Sequence, residues 1–357
     1  MYFGNETNYG SACAINQPIG LVQSVNPTEK NNLIKVRTLG GTRDYSKIVP
    51  GKFEISGSFD YFLQEGPFLR FGWSEDTGTT TGTIDGGPRV HSGASYLHVM
   101  GSAASPLAES FPSFTLEFTD AEDSGASATT RNLKRKYTGC RVNNMTMSAS
   151  VDEPVKVAVD WIAQGVNVST AAATSVTDST KDPFVFYQGM VYATSGAVTA
   201  YTVVPKTSAI AEVNSFDVGV NNNLESVWYV TGTTNAYNTL RGLKGLLAKG
   251  RDYSGKLNLH FKDKAMYQRF LGSNTTTSGG GTTLTNYQVV LDFSRTGFPG
   301  STPKGITDDW QRIVLANCKF GDINIAGKPE DIVSQAITLE ITSAKLYRVD
   351  TDINYKV

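Results

Sequence analysis

Charge is scarce in this chain. Lys, Arg, Asp and Glu make up 18% of its 357 residues, below the roughly 25% of an average globular protein. The 32 basic and 33 acidic residues nearly cancel, leaving −1. A protein that grips nucleic acid displaces counterions with clustered cations, and the whole-chain balance excludes that. Cysteine is scarcer still: Cys13, Cys140 and Cys318 are odd in number and far apart, which excludes a disulfide framework or a zinc spacing. No stretch of about 18 apolar residues is present, so no membrane span is expected. Met1 to Gly20 lacks a basic start and an apolar centre, so no signal peptide is expected. Without secretion, the glycosylation patterns at Asn5-Glu6-Thr7 and Asn144-Met145-Thr146 are read as chance.

What replaces charge is Gly, Thr, Ser and Asn. Thr suits a pleated surface, while Gly and Asn suit turn backbones. The length fits about two domains. Strands are legible as alternation. Met145, Met147 and Ala149 share one face, Asn144, Thr146 and Ser148 the other. Val155, Val157, Val159 and Trp161 alternate with Lys156, Ala158 and Asp160. The break at Asp152-Glu153-Pro154 makes these two strands a hairpin. Phe216, Val218 and Val220 alternate in the same way, as do Leu257, Leu259 and Phe261. Period two means one buried and one wet face.

The chain also resembles itself. Val22-Gln23-Ser24-Val25 leads to Asn31-Asn32-Leu33, and Val213-Asn214-Ser215-Phe216 leads to Asn222-Asn223-Leu224, both 191 residues on. Arg43-Asp44-Tyr45-Ser46 returns at Arg251 after 208 residues, and the Gly51-Lys52-Phe53 strand at Gly255 after 204. Asp60-Tyr61-Phe62-Leu63 is matched to Ala265–Leu271, read as a helix of about two or three turns. Phe114-Thr115-Leu116-Glu117-Phe118 parallels Val289-Val290-Leu291-Asp292-Phe293 (offset 175), and Cys140 parallels Cys318 (offset 178). A turn follows each cysteine strand, Asp152-Glu153-Pro154 in one half and Lys328-Pro329-Glu330 in the other. Loops at Ser74 to Ser110 and Thr231 to Gly250 absorb the changing offsets.

The expected fold is all-β with minor α: two tandem antiparallel sandwich or barrel domains, residues 1–172 and 173–357, each with a short helix. Thr170 to Lys181 is the expected linker, and Pro183-Phe184-Val185-Phe186 opens the second unit. Such sheets have edges that must be capped or used for assembly. The Gly/Thr-rich loops Ser74 to Ser110 and Ser273 to Thr285 read either as arms that order against a neighbouring subunit or as solvent loops.

Chemistry is hard to find. His91 and His98 sit in a Gly/Ser stretch without metal-spaced partners and read as surface loop histidines. His260 lies on the wet side of its strand, exposed or at an interface. Asp120, Glu122 and Asp123 read as a solvated turn, since a glycosidase needs two acids held at fixed separation. The basic run Arg131 to Lys136 reads as a solvated hairpin tip or a salt-bridging arm, with DNA contact the less favoured reading. Cys140 and Cys318 read as buried packing residues. No catalytic, cofactor or metal residue is nominated, and the chain is not read as an enzyme.

Several of these runs resemble a known family. Val213 to Glu225, Gly250 to Leu257 and Met266 to Gly272 look like the strand-and-asparagine pattern of phage tail tube proteins. Tyr137 to Asn143 followed by Val155-Lys156-Val157 resembles the closing hairpin of that family. The resemblance covers most of the chain except the long loops, and its motifs are moderately specific. It implies a structural virion protein of a bacterial or archaeal virus, assembled in the host cytoplasm into the tail. The form is similar to duplicated-domain tube proteins of tails without a sheath. Rings of about six such folds would need three chains, a homotrimeric pseudo-hexamer, stacking head to tail into an open filament. With about 24 strands at about 4.8 Å spacing and about 40° tilt, the wall is about 48 Å across, or about 38 Å inside its side chains. Implied partners are further copies of the chain, tape-measure and tail terminator proteins, and double-stranded viral DNA in the lumen, with no membrane. A wall of Ser, Thr, Asn and Asp would let DNA slide, but the sequence does not say which strand faces line it. The alternative is a virion surface sandwich binding a receptor or carbohydrate, with Trp73, Tyr96 and Trp310 as candidate contact aromatics.

Overall fold

A computed structural model describes the chain apart from residues 40–42, 75–82, 85–86, 89, 92–94, 102–110, 122–131, 171–173, 201, 203–209, 211, 230–240, 263, 273–277, 280–282, 296–308, 328–332, 352–354 and 356–357. In chain order the first elements are β1 (Tyr2–Asn5), β2 (Gln17–Pro18), β3 (Leu21–Val36), β4 (Lys47–Phe62), α1 (Arg70–Trp73), β5 (Thr83–Ile84), β6 (Gly87–Pro88), β7 (Val90–His91), β8 (Ser95–Gly101), β9 (Phe114–Ala121), β10 (Asn132–Ser150), β11 (Lys156–Ala163) and β12 (Gly165–Ser169). Then follow β13 (Gly189–Thr194), β14 (Val213–Asn221), β15 (Leu224–Val227), β16 (Gly245–Ala248), β17 (Asp252–His260), α2 (Ala265–Leu271), β18 (Tyr287–Ser294), β19 (Trp310–Ala326), β20 (Ser334–Ile341) and β21 (Ser343–Asp350).

All described pairings are antiparallel, and the chain is mostly β. One long sheet runs β3-β4-β11-β10-β14-β17-β20-β19. A second runs β2-β1-β9-β10-β12. A third runs β7-β8-β21-β19-β18-β13. β10 and β19 each serve two sheets, the N-terminal part in a shorter sheet and the C-terminal part in the long one. The expected alternation decides what is buried. Phe59, Tyr61, Met145, Met147, Val157, Val159, Phe216, Val218, Leu257, Leu259, Ile337 and Leu339 all turn from the long sheet into one core shared with the other two sheets. Phe3, Phe68, Phe71 and Phe114 pack edge-on or tilted inside it, with centroids 4.6 to 5.6 Å apart. Such aromatic pairs add about 1 kcal/mol each beyond their buried area.

The same pairing order occurs twice. β1-β9-β10-β12 is matched by β13-β18-β19-β21, and β3-β4-β11-β10 by β14-β17-β20-β19. The irregularities match too. Register shifts at Val142/Asn144 and Phe320/Asp322 lie 178 residues apart. A second pair of shifts surrounds Gly139 and Asn317, again 178 apart, and these two residues have φ of 63° and 52°. A bulge residue in the left-handed region favours Gly or Asn. The 191-residue offset also holds: Val25 faces Phe59, and Phe216 faces Leu257. Two other offsets change. Gly57 lies opposite Trp161 and Gly255 opposite Leu339, so the glycine rungs are 198 apart and Gly51 is not the partner of Gly255. Phe114 and Tyr287 face the two cysteines, an offset of 173 rather than 175. Both slips are even numbers, which alternation along a strand cannot detect.

The expected hairpin turns at Asp152, with φ of 64°. The expected helix at Ala265–Leu271 is present, but Asp60 to Phe62 finishes β4, and the helical piece of the first half is Pro67–Leu69 continued by α1. The Lys328-Pro329-Glu330 turn lies outside the described residues, as do the first half of the Thr231 to Gly250 stretch and most of the Ser273 to Thr285 stretch. Within the Ser74 to Ser110 stretch, β8 pairs with β21 of its own chain, a tie the sequence reading did not foresee. Residues of the Thr170 to Lys181 stretch are anchored as well: Thr174 bonds Glu117, and Lys181 reaches Glu65 at 2.9 Å.

A buried ionic cluster bolts the two parts of the chain together. Arg348 reaches Asp309 (2.7 Å) and Asp350 (3.3 Å), while Arg295 also bonds Asp309 and donates to the Gln64 carbonyl (2.6 Å). Both guanidinium groups lie over the Phe184 ring, at 4.8 and 4.4 Å. His98 lies 3.5 Å from Asp350 and stacks on Tyr355, whose hydroxyl donates to Asp350. Burial alone would raise the Asp350 carboxyl, but the His98 hydrogen bond and the Arg348 charge hold it well below the usual range. A depressed carboxylate contributes stability above its unfolded value of about 3.9 and loses it as pH falls below that. Asp350→Asn, which leaves Arg348 without that buried partner, is expected to cost about 3–5 kcal/mol at pH 7. Urea denaturation at a series of pH values should show the gap to the unmodified protein closing below about pH 4.

Candidate functional site

Turned away from the core, the long sheet presents small polar side chains. β10 contributes Asn144, Thr146 and Ser148, β4 Ser56, Ser58 and Asp60, and β17 Ser254, Lys256 and Asn258; each is at least partly exposed. Lysines on this face stand across from carboxylates: Lys156 is 2.8 Å from Asp60, and Lys30, Lys256 and Lys319 pair with Glu54, Asp217 and Glu340 in the strand register. Burial pushes the Asp217 carboxyl up while Lys256 pulls it down. Gly219 keeps the face flat where a Cβ would come within 2.6 Å of the Ser254 hydroxyl. Each of these lysines therefore has a carboxylate across from it, while Asp160 and Asp322 stand exposed on the same face opposite Ser58 and Thr338.

The sheet has a seam and two ends. At the seam β10 pairs with β14 from Asn144 opposite Asn221 to Ser150 opposite Ser215. Asn222 closes it: buried, its side-chain amide donates to the carbonyls of Gly72 (3.1 Å) and Val142 (3.0 Å), while its Oδ1 accepts from Arg251 Nε at 2.9 Å. This is the second asparagine pair of the sequence repeat. Among the described residues, β3 pairs only with β4, and Lys319–Ala326 of β19 pairs only with β20. These two borders carry backbone groups facing outward.

Several sequence expectations about single residues change. His98 is fully buried on β8 rather than in a surface loop, because β8 joins the third sheet. The side chain of His91 lies outside the described residues. His260 is exposed at the end of β17, on the polar face. Trp73 and Trp310 are 1% and 2% exposed, so neither serves as a contact aromatic for a receptor or glycan; Tyr96 is half-buried. The basic run is not a hairpin tip. Lys134, Arg135 and Lys136 lie within β10 and are held by Glu117, Asp120 and the Cys13 carbonyl. Asp120 is on β9, and Glu122, Asp123 and Arg131 lie outside the described residues. Cys140 and Cys318 are both buried, and burial pushes the Cys318 thiol up to about 12. Among the described residues, no group of three or more His, Cys, Asp or Glu could hold a metal ion. Asn222 was visible as a motif, but its role at a seam was not, since its acceptors are 80 and 150 residues away.

Asn222→Ala would leave the buried Val142 and Gly72 carbonyls without this donor, at an expected cost of about 2–3 kcal/mol. Thermal or urea unfolding measures it; an unchanged midpoint would mean the seam does not depend on this amide.

A search of the curated proteins finds no match. A family model described as "Phage tail tube protein" matches residues 1–342. Tail tube proteins are structural components of the phage tail that self-assemble, and they are not an enzyme family. With nearly its whole length matched, and with a β-rich body whose long sheet ends in open borders, this chain belongs to the phage tail tube protein family.

Proposed function

We propose that this chain is a double unit of the tube wall, two tandem copies of one sandwich over residues 1–172 and 173–357, and that three chains close a ring. The observation that carries the reading is the seam. β10 and β14 already join the two halves of the long sheet side by side. The same joint between chains, using β19 and β3, would continue the sheet around an axis. The eight strands of the long sheet in each of three chains give the same strand number as the sequence estimate, and so a wall about 48 Å across. The repeated bulges at Gly139 and Asn317 favour descent from one unit.

In such a ring the polar face of the long sheet lines the lumen, because the opposite face is spent on the core. Hydroxyls, amides and lysines with carboxylates across from them offer a phosphate backbone no cluster of cations to displace its counterions. The wall is then a passive conduit for double-stranded viral DNA, and during assembly for a tape-measure protein. Stacking is head to tail, ending at a terminator protein, which makes a heterologous and hence open filament.

Electron microscopy and native mass measurement of the purified protein test this. Rings or hollow filaments are expected, with a ring mass three times the 38.5 kDa of one chain. Monodisperse monomers at high concentration and near-neutral pH would overturn the reading, and a ring of six chains would overturn the double-unit geometry.

A further inference from the structure

The two open borders are the separated halves of the seam. Matching pairing orders puts β19 in the place of β10, 178 residues on, and β3 in the place of β14, 191 residues back. At the seam the core-side residues Met145, Met147, Phe216 and Val218 are 1 to 3% exposed. Their counterparts on β19 are Ile323, half-buried, and Ile325, 42% exposed. Those on β3 are Val25 and Pro27, both half-buried, with the exposed Glu29 in the place of Val220. Apolar groups stand in partial contact with water where the seam would cover them.

Backbone and motif agree. Across the seam Val151 N–H donates to Asn214 O (3.0 Å) and Asn222 N–H to Asn143 O (2.8 Å). Alternation then turns residues 145, 147 and 149 toward β14, and so 323 and 325 outward on β19. Pro27 holds the hydrogen-bonded rung of Val218, where its carbonyl can accept but it has no N–H to donate, so the joint carries one backbone bond fewer than the seam at that rung. Asn31 holds the place of Asn222, and each is gripped by an arginine: Arg251 Nε reaches Asn222 Oδ1 at 2.9 Å, and Arg241 Nη2 reaches Asn31 Oδ1 at 2.8 Å. On the polar side, Asn144 faces Asn221 in the seam; the transposed rung sets Asp322 against Lys30, opposite charges that attract across strands.

We infer that β3 of one copy pairs antiparallel with β19 of the next in the register of the internal seam. Lys30 then faces Asp322, Thr28 faces Asn324 and Asn26 faces Ala326, with the Asn31 amide reaching the Phe320 carbonyl of the adjoining copy. This rests on the ring reading above and adds the residues that close the ring. The occupant is a second copy of this chain because the complementary edge, in the right order and with complementary charge, is carried by the chain itself.

Disulfide trapping in the full-length protein tests it, in a Cys13→Ser background because Cys140 and Cys318 are buried. Thr28→Cys with Asn324→Cys occupies a rung without backbone hydrogen bonds, where side chains approach closely. Oxidation of assembled protein is expected to give a covalent ladder ending at three chains, while each single variant stays a monomer. Pairs slipped by two residues, Asn324→Cys with Asn26→Cys or with Lys30→Cys, should cross-link about tenfold less, since their Cα atoms are too distant for a relaxed disulfide. In a second arm, Lys30→Glu should weaken assembly several-fold, and Asp322→Lys added to it should restore assembly. Rings in the microscope with preferred cross-linking in a slipped register, with no cross-link in any register, or without rescue by the charge swap overturn the inference while the tube reading stands. No rings from the unmodified protein overturns both.

Discussion

A strand's backbone must be hydrogen-bonded along both sides or face water, and in this molecule that requirement governs everything else. Among the described residues, the long sheet satisfies it across seven internal pairings and leaves it open at two borders. A sandwich meant to remain alone blunts such borders with charge, bulges or covering loops. Here the β21 edge is covered by β8, whereas the borders at β3 and β19 retain half-exposed apolar residues on their core side. The difference between a covered edge and an uncovered one separates the outer surface of the proposed ring from its joints.

The two faces of the long sheet divide the remaining work. One is committed to a core assembled from all three sheets and locked by the Arg348–Asp309–Asp350 cluster. The other is left with serine, threonine, asparagine and lysines set opposite carboxylates. A conduit for a polyanion gains nothing from cations that would hold its cargo, and a dense field of acids would repel itself across a narrow lumen. Function in this reading consists of what the wall declines to bind.

Much of this was legible in the sequence for a simple reason: alternation is local. The hairpin around Asp152, the α2 helix, the equivalence of Cys140 and Cys318 and the asparagine pairs each depend on neighbours within a few residues. What failed was non-local. Even-numbered slips such as Gly51 for Gly57 keep every side chain on its expected face, so only cross-strand partners reveal them. His98, Trp73 and Trp310 sit next to Gly- and Ser-rich segments that suggested surface, yet a strand crossing to β21 and contacts between distant segments bury them. The basic run at β10 read as a solvated tip or a salt-bridging arm between rings because its carboxylate partners in the same chain, Glu117 and Asp120, arrive from another strand. Asn222 announced itself as a motif without disclosing that it spans a joint.

The most direct measurement is a density map of an assembled filament viewed down its axis at a resolution that separates strands. A three-fold ring whose inner wall is a continuous sheet of about 24 strands is expected, with Thr146, Ser254 and Asp60 pointing inward. An inner wall built from the β9 or β18 sheets, or a break in the sheet between adjacent chains, would contradict it.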